Sequence, residues 1–468
     1  MDAAFKENIA AMHDASHAMD VIIIVTSNER QCNEWESRIK KAFPYVQEVI
    51  AVCEDWPGGA GNGLGTLYAF KKAEEKINRH SLLDMLSKGA SIFLYHTAGI
   101  GKRLWPLTGV HHGDKSAIII PSPENTTLLE QIIIQSSIFS KRNAGRLSVF
   151  WGDQLFIPAA PINEKPQSHV EIIGRRISTV DRANWERKKL KDYGLLLYNT
   201  ESECVLLDKI DYDSYQQTLK RCREHKNTAT SLGSFSISST FLQDLLDEFS
   251  EEIALKKGKL DTDPHFWMPL ILDEDAYIKY CPPTVDAKKL HQRFERFRQQ
   301  KHSQLTICDI GEKSCWWDFG SLKHYFHNMQ KLTAMNREGV VLRHFLKLNP
   351  YFDTKRNIVL NSELTDNKMR CSVLFDVYAE KAEGADSVLI NCQAHSIKAN
   401  MALGYSNKEL TEIDLNNHHV RSEIAIDGHA IAFVTTIERN SKEDWDIKLQ
   451  HNSHSYSEAF DLIKKEYS

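Results

Sequence analysis

SIFLYHTAGIGKRLWPLTGVHHGDKSAIIIP, residues Ser91–Pro121, decides how the chain of 468 residues is read. It opens with the apolar run Ile92–Tyr95, which suits a buried strand. It then breaks into a loop holding Gly99, Gly101, Lys102 and Arg103. Glycine lets backbone amides approach a ligand closely because no Cβ intervenes. A row of such donors beside Lys and Arg makes a cradle for phosphate oxygens. Further on, Lys115 follows its own glycine, Gly113, and precedes a second apolar run. Two separate cationic points after one strand suggest a substrate with several phosphate charges.

Outward from this stretch the pattern is α/β. Val21–Thr26 reads as a buried parallel strand, and Cys32, Trp35, Ile39 and Phe43 recur at helical spacing. Val49–Cys53 is a second strand, and strand–helix–strand at this interval is a right-handed crossover. That strand leads into DWPGGAGNGLGT, with five glycines between Gly58 and Gly65, ahead of a helical face on Leu67, Phe70, Ala73 and Ile77. A glycine turn there leaves free amides at the sheet edge where ligands bind in such folds; the alternative is a flexible surface loop. Neither G-x-G-x-x-G nor G-x-x-x-x-G-K-[ST] occurs, so dinucleotide and P-loop readings are weak. Thr126–Phe139 reads as a helix and Leu147–Trp151 as a strand ending in Gly152-Asp153. Asp153 there is either an ion ligand above the sheet or a loop cap.

Tyr193-Gly194 and Asp208-Lys209 stand out in the more polar stretch that follows, with Lys209 either a phosphate grip or a solvated strand end. Gly233–Ile237 is a strand candidate. Ala287–Gln300 is a basic helix, read as solvated with one packed stripe. Cys315–Asn328 sets two tryptophans beside Asp318, whose buried charge needs a cation or a metal as partner. Later, Ile358–Asn361, Val373–Asp376 and Val388–Asn391 are apolar triplets closed by Asn or Asp at an interval of 15 residues. That periodicity predicts a β-solenoid, against the alternative of an antiparallel sheet with a chance repeat. Ser457–Tyr467 is expected to close it as a helix. The expected division is a leader over 1–20, a catalytic unit over 21–345, and the solenoid with its helix over 346–468.

Composition sets the bounds. A net charge of -5 argues against a nucleic-acid-binding surface as the main business. Nine cysteines without a Cys-x-x-Cys pair fit reduced thiols in a cytoplasmic protein. The apolar runs are too short to span a bilayer.

TAGIGKRLWPLT resembles the signature loop of the sugar-1-phosphate nucleotidyltransferases, A-G-x-G-x-R-l-x-P-l-T. Lys115, Gly152-Asp153 and Trp316–Gly320 resemble the motifs that follow it in that family, where a C-terminal β-helix also recurs. The glycine loop Gly61–Leu67 precedes the signature here, an order similar to the fucose-1-phosphate guanylyltransferase branch. The resemblance implies a Rossmann-like nucleotide-diphospho-sugar transferase sheet joining a nucleoside triphosphate, GTP in that branch, to a sugar 1-phosphate. By that resemblance, Arg103 and Lys115 are catalytic, and Asp153 and Asp318 hold Mg²⁺. Gly61, Asn62, Gly63, Gly65, Thr66, Ala98, Gly99, Gly101 and Lys102 would bind the nucleotide, and Gly194 and Lys209 the sugar phosphate. No nucleic acid or membrane partner is implied, and self-association through the solenoid stays open. The rivals are a glycosyltransferase using an Asp-x-Asp metal site, a pattern present at Asp261-Thr262-Asp263, and a sugar-nucleotide sensor without turnover.

Overall fold

The computed structural model describes residues 1–77, 81–178, 180–222, 224–299, 305–362, 364–416 and 418–466. Its centre is a sheet of nine strands. Strands β1 (Val21–Thr26), β2 (Glu48–Cys53) and β3 (Ile92–His96) run parallel, and Arg146–Trp151 continues the parallel set beside β3. The long strand Asn227–Ser238 then runs antiparallel to Arg146–Trp151, and beyond it the sheet forks. One branch is Gly194–Tyr198 with Cys204–Asp208, the other Val170–Ile177 with Leu305–Asp309. The register of Asn227–Ser238 shifts between Ser231 and Phe235, at the fork.

β1 shows why such strands are continuous apolar runs. Ile22 and Ile24 enter one apolar body, Val21, Ile23 and Val25 the other, so both faces are covered. The helix predicted after β1 is α2 (Glu29–Ala42), capped by Asn28, whose side chain accepts from the Gln31 amide. Residues 1–20 are more than a leader: α1 (Ala3–Met12) buries Phe5, Ile9 and Met12 in the same apolar body as Ile22 and Phe93. The basic helix ends at Gln299 among the described residues, and its expected last residue, Gln300, lies outside them. Its charges are structural, with Arg293 paired to Glu248 and Glu252 and Arg296 to Glu248.

The triplets of the C-terminal part form a parallel ladder. Ile358 pairs with Val373, Val373 with Val388, and Val388 with Leu403, a step of 15 at each rung. A second parallel ladder runs alongside through Asp366, Lys381, Ser396 and Glu412. The Asn or Asp closing each triplet has left-handed backbone, with φ of 52° at Asn361, 53° at Asp376 and 50° at Asn391. Asn and Asp tolerate that conformation better than other side chains, which accounts for their place in the repeat. The hairpin His419–Ile426 and His429–Thr436 follows, and then the helix Tyr456–Glu466; Tyr467 lies outside the described residues.

Candidate functional site

Two adjacent parallel strands build the site. β3 ends at His96, which is in register with Trp151, the last residue of its neighbour. The signature loop leaves the first strand and Asp153 follows the second, so both start from the same sheet edge. Gly152 donates its amide to the His96 carbonyl at 2.9 Å. A Cβ on Gly152 would lie 2.5 Å from Ser116 Oγ and 2.8 Å from the His96 oxygen, so only glycine fits between the strands.

Asp318 arrives by a different route. The strand Cys315–Asp318 pairs antiparallel with Gln154–Ile157, placing Asp318 opposite Gln154, and the Phe319 amide donates to the Asp153 carbonyl at 2.8 Å. Two carboxylates 165 positions apart are thereby drawn together. Gly320 marks where they meet: a Cβ there would lie 2.9 Å from Asp318 Oδ1, 3.1 Å from Arg103 Nη2 and 3.6 Å from Asp153 Oδ2. Lys115 Nζ donates to Asp153 Oδ2 at 2.8 Å. Burial pushes the Asp318 carboxyl up, but the His324 hydrogen bond, the Gly320 amide and the charges of His324 and Arg103 together hold it below the usual carboxylate range.

Beside this cluster lies a cleft of about 580 Å³. Of the residues singled out in the sequence, Asn62, Arg103, Gly194, Lys209 and Asp318 line it. Asp208, Asp261 and Asp263 line it too. The Asp263 carboxyl is pushed up to about 7, first by burial and then by the charge of Asp208. Gly233, at the register shift, has φ of 74° and lies against the Trp151 indole, itself stacked on His96 at 5.2 Å.

Lys102 is elsewhere. Its ammonium sits over the Trp445 ring, 4.3 Å from the centroid, in the C-terminal part. Trp105 is fully buried there too, edge-on to Trp445 at 5.3 Å and beside Tyr456 and Phe460. A Cβ on Gly113 would lie 2.9 Å from Phe460, and His111 bonds the Tyr405 hydroxyl at 2.6 Å.

The early glycines correct the sequence reading. Gly61–Thr66 are the first turns of α3 (Gly61–Ile77) rather than a loop ahead of it. The Gly63 and Leu64 amides donate to the Leu260 carbonyl at 2.9 and 3.2 Å, and the Asn62 amide to Asp261 Oδ1 at 3.0 Å. The donors expected to be free are thus taken by the segment Leu260–Thr262. A Cβ on Gly61 would approach the Leu260 oxygen to 2.5 Å, and on Gly63 to 2.9 Å, so these glycines serve close packing of backbone on backbone. Gly65 packs near His96, and Thr66 Oγ1 bonds His96 Nε2 at 2.9 Å. By contrast, Gly99 is exposed and the amides of Ala98, Ile100, Gly101 and Lys102 have no partner among the described residues; Gly99 itself donates to Ser27 Oγ at 2.8 Å.

Sequence reasoning missed Asp114 and His324. Asp114 is buried, accepts from Trp35 Nε1 at 2.6 Å and caps the Ser116 amide at 2.8 Å, which fixes the backbone carrying Lys115. Its place as an N-cap before a short turn was the available signal. His324 stands 3.3 Å from Asp318, and nothing in its sequence surroundings marks it. Among the described residues, no group of three or more His, Cys, Asp or Glu side chains is arranged to hold a metal, and no helix is long and apolar enough to cross a membrane.

No family model and no curated protein matches the chain. Among solved structures, a mannose-1-phosphate geranyltransferase from Thermus thermophilus is 11% identical, over 81% of this chain and 99% of its own, with a TM-score of 0.30. A CMP:2-keto-3-deoxy-manno-octonic acid synthetase complexed with CTP is 10% identical, over 63% of this chain and 90% of its own, with a TM-score of 0.21.

Proposed function

We propose that this protein joins a sugar 1-phosphate to a nucleoside triphosphate, giving an NDP-sugar and pyrophosphate. One observation carries the reading: Asp153, Asp318 and Arg103 ring the single point beside Gly320, with Lys115 already paired to Asp153. Such a ring suits a reaction whose obstacle is charge. Both reactants are anions, so rate comes from holding them in line and dispersing charge. A phosphate oxygen of the sugar 1-phosphate forms a bond to the α-phosphorus, and the bond to the β-phosphate oxygen breaks with its electron pair. The attacking oxygen is already ionised, so no general base is required.

In this reading Arg103 and the open amides of Ala98, Ile100, Gly101 and Lys102 bind the departing pyrophosphate, and Lys115 faces the α-phosphoryl group. Gly194 and Lys209 hold the sugar phosphate on the far side of the cleft. The closed helix start Gly61–Thr66 acts as a wall for the base or ribose, with Asn62 at the cleft surface. The residues fit Mg²⁺: two carboxylates face a gap that a single Cβ would fill, and Mg²⁺ takes one or two carboxylates with substrate oxygens completing the shell. Asp153 and Asp318 would hold it, and it would supply charge neutralisation across the phosphates. We divide the chain into a catalytic unit over 21–345 and a β-solenoid over 346–468. The order of the glycine and signature segments favours GTP and a hexose such as fucose as substrates.

The glycosyltransferase reading has one observation in its favour, since Asp261 and Asp263 line the same cleft. Against it, the Asp-x-Asp pattern recurs at Asp211-Tyr212-Asp213 and Asp273-Glu274-Asp275, where the first carboxylate merely caps a helix, and a glycosyltransferase has no use for an open cationic loop such as Gly99–Arg103. Incubation with Mg²⁺, each triphosphate and a panel of sugar 1-phosphates decides the matter. Pyrophosphate release is the expected result. Sugar transfer from a preformed NDP-sugar, or binding with neither reaction, would overturn it.

A further inference from the structure

Next to the cleft is a second pocket of about 610 Å³, and its charge is unlike that of the chain as a whole. Arg175, Arg176, Lys188, Lys313 and Arg337 line it, with Glu312 as the one carboxylate, although the protein's net charge is -5. Arg176 is already paired with Asp309 at 2.6 Å, and Glu312 accepts from Ser178. Among the described residues, Arg175, Lys188, Lys313 and Arg337 form no side-chain hydrogen bond or ion pair. Gathering like charges around one space raises the local potential and favours an anion among them.

The grouping is not a local run of basic sequence. Arg175 comes from the strand Val170–Ile177, Lys188 from the turn after the helix Arg182–Arg187, and Lys313 from the turn before Cys315–Asp318. Arg337 opens the helix Arg337–Phe345. Four separate stretches have to fold together to make it. Ile177, Leu190, Tyr193 and Trp316 supply apolar wall, and the volume falls in the range of small-molecule sites.

We propose that this pocket binds a phosphorylated small molecule, at a site separate from the catalytic cleft. The cations take the phosphate, and the apolar wall takes an organic body rather than a bare ion. Tyr193 and Trp316 line both cavities, their rings 5.4 Å apart at 67°, so they form the partition between them. Trp316 Nε1 donates to Gln154 Oε1 at 3.2 Å, and Asp318 lies two residues on. The phosphate can belong to a separate effector, or to a second phosphorylated position on the molecule in the cleft that reaches past Tyr193.

The test is calorimetric titration of the full chain with glucose 1,6-bisphosphate and with inorganic phosphate. Binding is the readout, so the result stands apart from whether nucleotidyl transfer is found. Lys313→Glu with Arg337→Glu, both exposed positions that leave the core intact, is expected to weaken bisphosphate binding by roughly tenfold or more. Lys368→Glu with Lys398→Glu, exposed on the C-terminal ladder, is expected to leave it unchanged. An Arg103→Ala, Lys209→Ala background separates the two sources. Binding that persists there and still responds to the Lys313 and Arg337 changes identifies an effector; binding lost there as well identifies one molecule spanning both cavities. Wild-type binding in the Lys313 and Arg337 variant, or an equal loss in the ladder variant, would overturn the proposal.

Discussion

The molecule carries two glycine-bearing segments at the same sheet edge, and they do opposite things. Gly61–Thr66 is richer in glycine, yet its amides are consumed by Leu260 and Asp261 and its missing Cβ atoms make room for another backbone. Gly99–Arg103 has fewer glycines but is open, with the amides of Ile100, Gly101 and Lys102 unpartnered among the described residues and Arg103 exposed. Glycine content alone therefore does not mark an anion cradle. What marks it is whether the donors remain free after the fold has closed.

The sharpest way to break this contrast is through the open segment. Arg103→Ala or Asp153→Ala should leave a folded protein whose pyrophosphate release falls by about 10²-fold or more, the usual scale for removing one preorganised charge. Near-normal turnover in both would end the distinction. Next in size is Gly61→Ala, which forces a Cβ to 2.5 Å from the Leu260 oxygen at a φ of 73°. Overpacking and left-handed strain together should cost about 3 kcal/mol in denaturant unfolding. Gly99→Ala has φ of 109° but nothing within 4 Å, so it should cost about 1–2 kcal/mol while raising KM for the triphosphate. Equal stability losses would mean that the two segments are packed alike.

A pH-dependent effect concerns Asp263, next to the segment Leu260–Thr262 that closes over Gly61–Thr66. The Asp263 carboxyl is raised to about 7 from an ordinary 3.8, chiefly by burial. The folded state therefore favours the proton. The contribution to stability is full below the ordinary value and is lost as pH rises through about 7. Asp263→Asn should match the wild type near pH 4 and melt a few degrees higher near pH 8. A difference that is flat with pH would remove Asp263 as the group responsible.

The parallel strands and the Gly152-Asp153 corner were legible as local patterns, whereas the meeting of Asp318 with Asp153 was implied only by the family resemblance, because the pairing of Cys315–Asp318 with Gln154–Ile157 leaves no mark in the sequence. The closure of Gly61–Thr66 was not legible, because its partner, Leu260–Thr262, lies about 200 residues away and the pattern it does carry, Asp261-Thr262-Asp263, reads as a metal motif and not as cover for a helix start. Lys102 reads in sequence as one more phosphate ligand. Only the folded chain brings Trp445 beneath it. The basic pocket was invisible for the same reason, since its four unpaired cations come from four separate stretches that only the fold brings together. The repeat of 15 residues was visible in the sequence as triplets, and the structure gives its Asn and Asp closures a left-handed corner to occupy.

Trp105 lies in a nest of Trp445, Tyr456 and Phe460. During synthesis, the signature segment emerges from the ribosome more than 300 residues before those rings exist. Until they arrive, an apolar indole has no cover and the loop that follows β3 has no outer support. A nascent chain can thus complete its sheet and still lack a finished cleft rim, which is assembled only when the closing helix folds back onto residues made long before it.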